Sequence, residues 1–272
     1  MPCSGNRKEG VDTLTQLERL YKLNKLLLEE MPQYRKNTKY FGNDESSQFL
    51  LFRSLVNVRP PINANSDFLE IQDEYLQLEL RRRGITDIKN FNKNSKGLYL
   101  WKGDITTLKC DAIVNAANSK MLGCFYPNHT CIDNAIHTYA GIQLRLDCAN
   151  LMKKQDHDEK IGNAKITPAY NLPSRYVLHT VGPIINDVVE KKDKKLLASC
   201  YISCLKLAEK YNLKSIAFCC ISTGEFHFPN DEAANIAIET VKKYKKQTQS
   251  EIEVIFNVFK ELDYNIYQKL LQ

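Results

Sequence analysis

The 272-residue sequence lacks any apolar run near the roughly 18 residues that a membrane-spanning helix needs. Its first ten residues, MPCSGNRKEG, lack the apolar segment of a secretory signal peptide. It also lacks an internal repeat, a low-complexity tract and a nucleic-acid-binding signature. We therefore expect a monomer in the reducing cytoplasm, with neither a membrane nor a nucleic acid as a partner.

Hydrophobic residues make up 43% of the chain and charged residues 26%, a balance typical of a folded globular protein. The nine cysteines do not indicate a disulfide framework, because their number is odd and the chain is long. The net charge is +6, and lysines cluster in residues 191–195 and 242–246. These clusters predict solvated helix faces, with attraction of a polyanionic ligand as the alternative.

Residues 1–92 have the pattern of a small helical unit. Leucines recur at helical spacing between residues 11 and 31, and Pro32 should end that helix. A second apolar patch precedes Pro60 and Pro61. A further helix should begin near Asp67, with Glu70 completing a capping box, and should end at Arg83 before Gly84. We expect this unit to pack on the rest of the chain without contributing to the chemistry.

The polar segment 90–97 predicts a boundary, and residues 97–272 then change pattern. Six short β-prone runs follow: LYLW, DAIVNAA, AKITPAY, YVLHTV, SIAFCCI and EIEVIFNVF. Helical segments separate several of these runs, which predicts an α/β sandwich with helices on both faces of the sheet. In such sheets ligands bind beyond the carboxyl ends of the strands.

Two loops that follow predicted strands could bind a ligand. Asp104 follows LYLW, where a carboxylate can accept a hydrogen bond from an exocyclic amine or can cap a turn. Residues 222–226 follow SIAFCCI and are small enough for backbone N–H groups to converge on an anion, although a plain strand-to-helix turn is the alternative. The absence of a Walker lysine argues against a nucleotide triphosphatase.

A third loop combines thiol and imidazole groups. Cys124, His129 and Cys131 lie within eight residues, directly before Asp133 and a helical segment. Thiolate and imidazole together are zinc ligands, and three protein ligands leave one position open, as in catalytic zinc sites. The alternative is three unconnected side chains, with Asp133 serving only as a charge at the helix start.

The segments GDIT, DAIVNAAN, IDNAIH, HTVGP and ISTGEF, in this order and spacing, resemble the macrodomain family, which binds ADP-ribose. The resemblance covers residues 97–272. The intervening GCFYPNHTC is similar to the zinc-dependent branch, the microbial protein-ADP-ribose hydrolases, which also carry a helical N-terminal extension. The resemblance implies a three-layer α/β/α macrodomain with a mixed central sheet at 97–272, preceded by a helical extension at 1–92.

The resemblance also implies roles for individual residues. The adenine would be bound by Asp104, with Ile105 beside it, and stacked on Phe259. Asn118 would hydrogen-bond the distal ribose, and three further residues would also bind the ligand: Gly123, Ile132 and Asp133. The diphosphate would be held by the loop of Ser222, Thr223, Gly224, Glu225 and Phe226. One zinc ion would be held by Cys124, His129 and Cys131, and the catalytic residues would be Asn118, Cys131 and Asp133.

The implied reaction is hydrolysis of the bond between ADP-ribose and a protein side chain. Zinc could activate water or bind a ribose hydroxyl, and Asp133 could orient water or accept a proton. The rival is a non-catalytic module that reads ADP-ribosylated proteins. A further alternative is a structural zinc in a hydrolase that works through Asp133 alone. A structural zinc would have a fourth protein ligand, with three candidates: His137, His179 and His227.

Overall fold

The computed structural model describes residues 14–91 and 97–272. Residues 11–13 of the first predicted helix and 92–96 of the predicted boundary lie outside these ranges. None of the helices in the described ranges combines the length and the apolarity that crossing a membrane requires.

The first described segment forms three helices, as predicted. They are α1 (Gln16–Glu30), α2 (Glu45–Val58) and α3 (Ser66–Arg83). The helix α1 begins at a capping box in which Thr15 and Glu18 satisfy each other's backbone N–H groups, and it ends two residues before Pro32. Its buried leucines pack against α2 and α3 around Phe52 and Tyr75. Each such buried side chain contributes about 1.5–3 kcal/mol of transfer free energy.

The predicted capping box of α3 is wrong. Asn65 is the N-cap, and its Oδ1 accepts a hydrogen bond from the backbone N–H of Phe68 at 2.7 Å. The third helical residue is therefore Phe68, and Glu70 lies too far along the helix to bond the cap. The other end of α3 is as predicted, because Gly84 takes a positive φ of 84° directly after Arg83.

The six predicted strands form one mixed sheet. Its order is β2-β8-β7-β4-β6-β5, in which β5 alone is antiparallel to its neighbour. The strands are β2 (Leu98–Lys102), β4 (Ala112–Ala117), β5 (Ala164–Pro168), β6 (Tyr176–Val181), β7 (Ser215–Phe218) and β8 (Glu253–Val258). A separate pair joins β1 (Thr86–Asp87) to β3 (Leu108–Lys109) in parallel. Since β2, β8, β7, β4 and β6 run in parallel, their carboxyl ends share one edge.

Five helices cover the sheet. They are α4 (Ile132–Ala140), α5 (Ile142–Gln155), α6 (Lys191–Lys210), α7 (Asn230–Thr248) and α8 (Glu261–Leu271). The crossovers through α6 and α7 step in the same direction across the sheet, so right-handed connections place both on one face, where α8 packs against α7. The helices α4 and α5 pack on each other and on β4 and β5. The result is the predicted three-layer α/β/α arrangement.

The helical extension packs on this sandwich through α2 and α3. Phe49 of α2 stacks on Tyr139 of α4, with ring centroids 6.0 Å apart. Gln72 of α3 accepts the backbone N–H of Ile142 at 3.0 Å and donates to Gln143 at 2.8 Å. The amino-terminal helices therefore lie directly beside α4, the helix that follows the thiol-bearing loop.

Candidate active site

A cleft of about 970 Å³ opens at the carboxyl ends of the parallel strands. It is lined by the segments that follow β2, β4, β7 and β8. Every residue to which the resemblance assigned a role lines it: Asp104, Ile105, Asn118, Gly123, Cys124, His129, Cys131, Ile132, Asp133, Ser222, Thr223, Gly224, Glu225, Phe226 and Phe259. A volume of this size accommodates a ligand as large as a dinucleotide.

Asp104 caps the turn Ile105–Thr107, as one interpretation of the sequence predicted, and it also lines the cleft. Its Oδ1 accepts the backbone N–H of Thr106 at 2.9 Å and the Thr106 hydroxyl at 2.7 Å. Its Oδ2 pairs with Arg83 of α3 at 3.1 Å. The carboxylate remains 41% exposed, and since it offers about four acceptor positions, it can still receive a ligand donor.

Phe259 lies at the same end of the cleft as Asp104. The backbone N–H of Gly103 donates to the carbonyl of Val258 at 3.0 Å, and Asn257 Nδ2 donates to the carbonyl of Gly103 at 2.9 Å. These bonds join the end of β2 to the end of β8. Phe259 is 77% exposed, so its side chain is accessible to a planar ligand.

The loop of residues 222–226 offers several backbone donors to the cleft. Within the described ranges, the N–H groups of Ser222, Gly224, Glu225 and Phe226 donate to no other protein group. The loop is closed by bonds from His227 N–H to the Gly224 carbonyl and from Phe228 N–H to the Ser222 carbonyl. Such a closed loop with unpaired N–H groups can bind an anion.

Several polar side chains surround the buried Asp133 at the carboxyl end of β4. Asn115 Nδ2 donates to Asp133 Oδ1 at 2.8 Å, and Asn118 Nδ2 lies 3.5 Å from Asp133 Oδ2. The ring of His137 is 3.5 Å from the same carboxylate. Burial raises the pKa of Asp133 to about 6, against the lowering effects of the Asn115 hydrogen bond and of the Arg145 charge. The carboxyl group is therefore fixed in orientation at the cleft wall.

The thiol and imidazole groups meet where the sequence predicted. The ligand atoms of Cys124, His129 and Cys131 lie within 4.8 Å of one another, and Cys124 Sγ is 3.7 Å from His129 Nδ1. Tetrahedral zinc, with bonds of roughly 2.0–2.3 Å, sets such atoms about 3.5 Å apart. The other ring nitrogen of His129 is 3.7 Å from the Glu225 carboxylate, beyond hydrogen-bond distance. The donor set thus fits zinc.

Burial raises the pKa of the Cys131 thiol to about 12, with a further raising effect from Cys124. The backbone N–H of Asn134 opposes this effect by donating to Cys131 Sγ at 3.4 Å. A bound cation would favour the thiolate, since metal ligation displaces the thiol proton.

The three histidines considered as a fourth ligand do not join this group in residues 14–91 and 97–272. His137 and His179 lie instead with Cys148 in a separate, fully buried cluster. His179 is fixed there by Asn115 at 3.1 Å and by Thr167 at 3.0 Å. Within the described residues, this cluster therefore offers three candidate ligands for a metal ion.

Comparison with known proteins places this arrangement in a family. A family model described as "Macro domain" matches residues 114–237. A protein-ADP-ribose hydrolase of Treponema medium is 53% identical over 262 residues, covering 95% of this chain and all of that protein. A protein-ADP-ribose hydrolase of Staphylococcus aureus strain MSSA476 is 53% identical over 222 residues, covering 80% of this chain and 83% of the relative. The chain belongs to the macrodomain family.

Solved macrodomains share its fold. A Trypanosoma brucei macrodomain in complex with ADP-ribose matches with a TM-score of 0.62 and 30% identity, covering 81% of this chain and 95% of that one. A mutant Oceanobacillus iheyensis macrodomain with ADPR matches with a TM-score of 0.58 and 37% identity, covering 64% of this chain and 91% of that one.

The sequence interpretation did not single out several cleft residues of this macrodomain, among them Arg53 and Tyr139. Arg53 comes from α2, although the extension was expected to contribute nothing to the chemistry. Tyr139 comes from α4, and its ring stacks under Arg83 at 3.6 Å. One signal for Arg53 was available, because a single arginine within the apolar run FLLFRSLV needs polar partners when its helix packs.

Proposed function

We propose that this macrodomain is a zinc-dependent hydrolase that removes mono-ADP-ribose from modified protein side chains and releases free ADP-ribose. The two relatives with 53% identity bear the name protein-ADP-ribose hydrolase. The observation that carries the proposal is the position of the Cys124–His129–Cys131 cluster, which lines the same cleft as Asp133 and the 222–226 loop. A module that only binds ADP-ribose would not need that cluster.

The two ends of the cleft suit the two parts of ADP-ribose. We assign the adenine to Asp104, Ile105 and Phe259, because a carboxylate can accept from the exocyclic amine and an exposed ring can stack on the base. We assign the diphosphate to residues 222–226, whose unpaired N–H groups can donate to its oxygens. In this orientation we expect the distal ribose near Asn118, Gly123 and Ile132, beside Asp133.

We assign one zinc ion to Cys124, His129 and Cys131, whose distances and donor types fit it. When bound, zinc would act as a Lewis acid and polarise an oxygen atom that ligates it.

The residues around Asp133 supply orientation and proton transfer. Asn115 fixes the carboxyl group by donating to Oδ1, so that Oδ2 faces Asn118 and the cleft. We propose that Asp133 orients the attacking water and that Asn118 holds a hydroxyl of the distal ribose. A carboxylate beside the sugar also stabilises the oxocarbenium character of a glycosyl transition state.

We further propose residues 97–272 as the catalytic macrodomain and 1–92 as its extension. The buried residues of α1–α3 form a core cluster that is distinct from the cluster around the sheet.

The test is incubation of the full-length protein with proteins that carry ADP-ribose through defined ester, hydroxyl-linked and arginine linkages. Release of free ADP-ribose is measured with and without a chelator, and after zinc is added back. We expect release from at least one linkage, loss of that release with the chelator and recovery with zinc. Tight binding of ADP-ribose without release from any linkage would instead identify a reader module. Full release of ADP-ribose in the presence of the chelator would show that the reaction does not need zinc.

A further inference from the structure

The helix α2 of the extension contacts the metal-candidate loop, residues 118–131, at a ligand residue. Arg53 Nη2 donates to the backbone carbonyl of His129 at 2.7 Å. The same guanidinium bonds Asn134 Oδ1 through Nη2 at 2.9 Å and through Nε at 3.1 Å. Because the guanidinium is a planar fork of five donors, it fixes these two acceptors relative to each other.

Asn134 connects Arg53 to a second candidate ligand, Cys131. It is a fully buried residue of α4, and its backbone N–H donates to Cys131 Sγ at 3.4 Å. Its side-chain Nδ2 donates to the carbonyl of Tyr126 at 3.0 Å. Arg53 is thus linked to Cys131 through one intervening residue, Asn134, and is hydrogen-bonded directly to the backbone of His129, which supplies the imidazole.

A second side chain of α2 holds the residue before His129. Asn57, which is 1% exposed, accepts the backbone N–H of Asn128 at 2.9 Å. Asn128 has a φ of 55°, in the left-handed region. Asn57 also donates to Thr138 of α4 at 3.1 Å, so it links the loop to the helix that follows it.

The carboxyl end of α2 is tied to the beginning of the same loop. Arg145 of α5 donates through Nη1 to the carbonyls of Val56 at 2.8 Å and Arg59 at 2.7 Å. Through Nε it donates to the carbonyl of Leu122 at 2.7 Å. The loop has no helix or strand of its own between β4 and α4, so these contacts set its shape.

We propose that α2 of the amino-terminal extension is part of the metal site, and that Arg53 is a positioning residue that holds His129 and Cys131 in their ligating arrangement. The proposal rests on the zinc site of the proposed function and adds a role for the extension. Ligands held in place before the metal arrives lose less freedom on binding it, and hydrogen bonds to the groups around a metal typically contribute 10- to 100-fold in affinity.

The experiment measures zinc affinity in the full-length chain. Arg53→Met removes the guanidinium donors and keeps a long apolar side chain, whereas Arg53→Lys keeps the charge without the fork. Arg82→Met is the matched control, because Arg82 is an arginine of the same extension that pairs with Glu45 at the surface and is 53% exposed. Zn²⁺ affinity is measured by competition with a chromophoric chelator, and Co²⁺ absorption reports whether thiolates ligate the metal.

We expect Arg53→Met to weaken Zn²⁺ binding by about 10- to 100-fold. Arg53→Lys should fall between it and the wild type, and Arg82→Met should match the wild type. The thiolate-to-cobalt absorption band should change in intensity or position in Arg53→Met, to a smaller extent in Arg53→Lys, and not in Arg82→Met, a response that a general loss of stability would not produce. If Arg53→Met does not fold, Arg53→Lys decides the question.

The outcomes separate the two proposals. A wild type without a thiolate–cobalt band, whose Zn²⁺ affinity is the same in Cys124→Ser, would refute the zinc site itself. A wild type with the band, together with Arg53→Met and Arg53→Lys variants of unchanged affinity and unchanged spectrum, would refute the positioning role alone. An equal loss in Arg82→Met would show a general effect of the extension and would also overturn the assignment to Arg53.

Discussion

Replacing Asp104 by alanine should weaken the binding of free ADP-ribose without removing the fold. The proposed adenine contact is a hydrogen bond from the exocyclic amine to a charged acceptor, which is worth about 1.5–3 kcal/mol. Because the carboxylate is 41% exposed, water competes for it, and the lower half of this range applies. A loss of about 1.5–2 kcal/mol corresponds to a dissociation constant raised roughly 10- to 30-fold.

The same substitution has a structural cost that must be separated from the binding effect. Asp104 caps the turn Ile105–Thr107 and pairs with Arg83, and removing an N-cap side chain costs about 0.5–2 kcal/mol. Asp104→Asn restores the cap, because asparagine can still accept the Thr106 N–H, but it removes the negative charge. We expect the melting temperature of Asp104→Asn to lie closer to that of the wild type than the melting temperature of Asp104→Ala does. The affinity of Asp104→Asn for ADP-ribose should nevertheless stay below that of the wild type.

The matched control is Asp87→Ala. Asp87 caps a turn of the same kind, accepts the Lys89 N–H at 3.0 Å and pairs with Lys109 at 3.2 Å, but does not line the cleft. Titration calorimetry, well below the melting temperature of each variant, should show wild-type affinity for Asp87→Ala. A dissociation constant for Asp104→Ala equal to that of the wild type, with the fold intact, would refute the adenine assignment.

Three further expectations concern catalysis, backbone strain and pH. Cys131→Ala should lower the rate of ADP-ribose release by orders of magnitude. The variant should still bind ADP-ribose in calorimetry and melt cooperatively, since a large core does not need a metal to fold. A Cys131→Ala variant that does not fold would show that the metal is structural. Gly123→Ala should cost about 1–3 kcal/mol in denaturant unfolding, because Gly123 has a φ of 80° and an added Cβ would lie 2.9 Å from the His137 ring. Gly224→Ala, whose Cβ would have no neighbour within 4 Å, should stay within about 0.5 kcal/mol of the wild type, and equal losses in the two variants would contradict this reasoning. Burial lowers the pKa of His179 to about 4. The unfolded chain therefore binds more protons than the folded protein below pH 6.5. Protonation of His179 in the unfolded chain should then lower the free energy of unfolding by about 3 kcal/mol as the pH falls towards 4. An NMR titration that places the His179 pKa near 6.5 in the folded protein would contradict the expectation.

The sequence by itself determined the local elements, because their signals lie in neighbouring residues. Alternation and β-branched runs predicted all six strands of the main sheet, and helical spacing predicted α1 and the helices between the strands. The spacing of Cys124, His129 and Cys131 predicted a cluster because a short loop cannot carry its side chains far apart. The one capping error, Asp67 in place of Asn65, concerned a choice between polar residues two positions apart, which periodicity does not resolve.

The tertiary structure decided what meets across long distances in the chain. Arg53 and Asn57 reach residues more than 70 positions away only because α2 packs beside α4, and local sequence patterns do not encode that orientation. Arg83 reaches Asp104 because α3 ends near the carboxyl end of β2. Sheet order and helix packing bring these groups together, since both are set by the burial of apolar faces that many residues share. The extension therefore contributes Arg53 to the lining of the cleft, a position that local sequence alone does not specify.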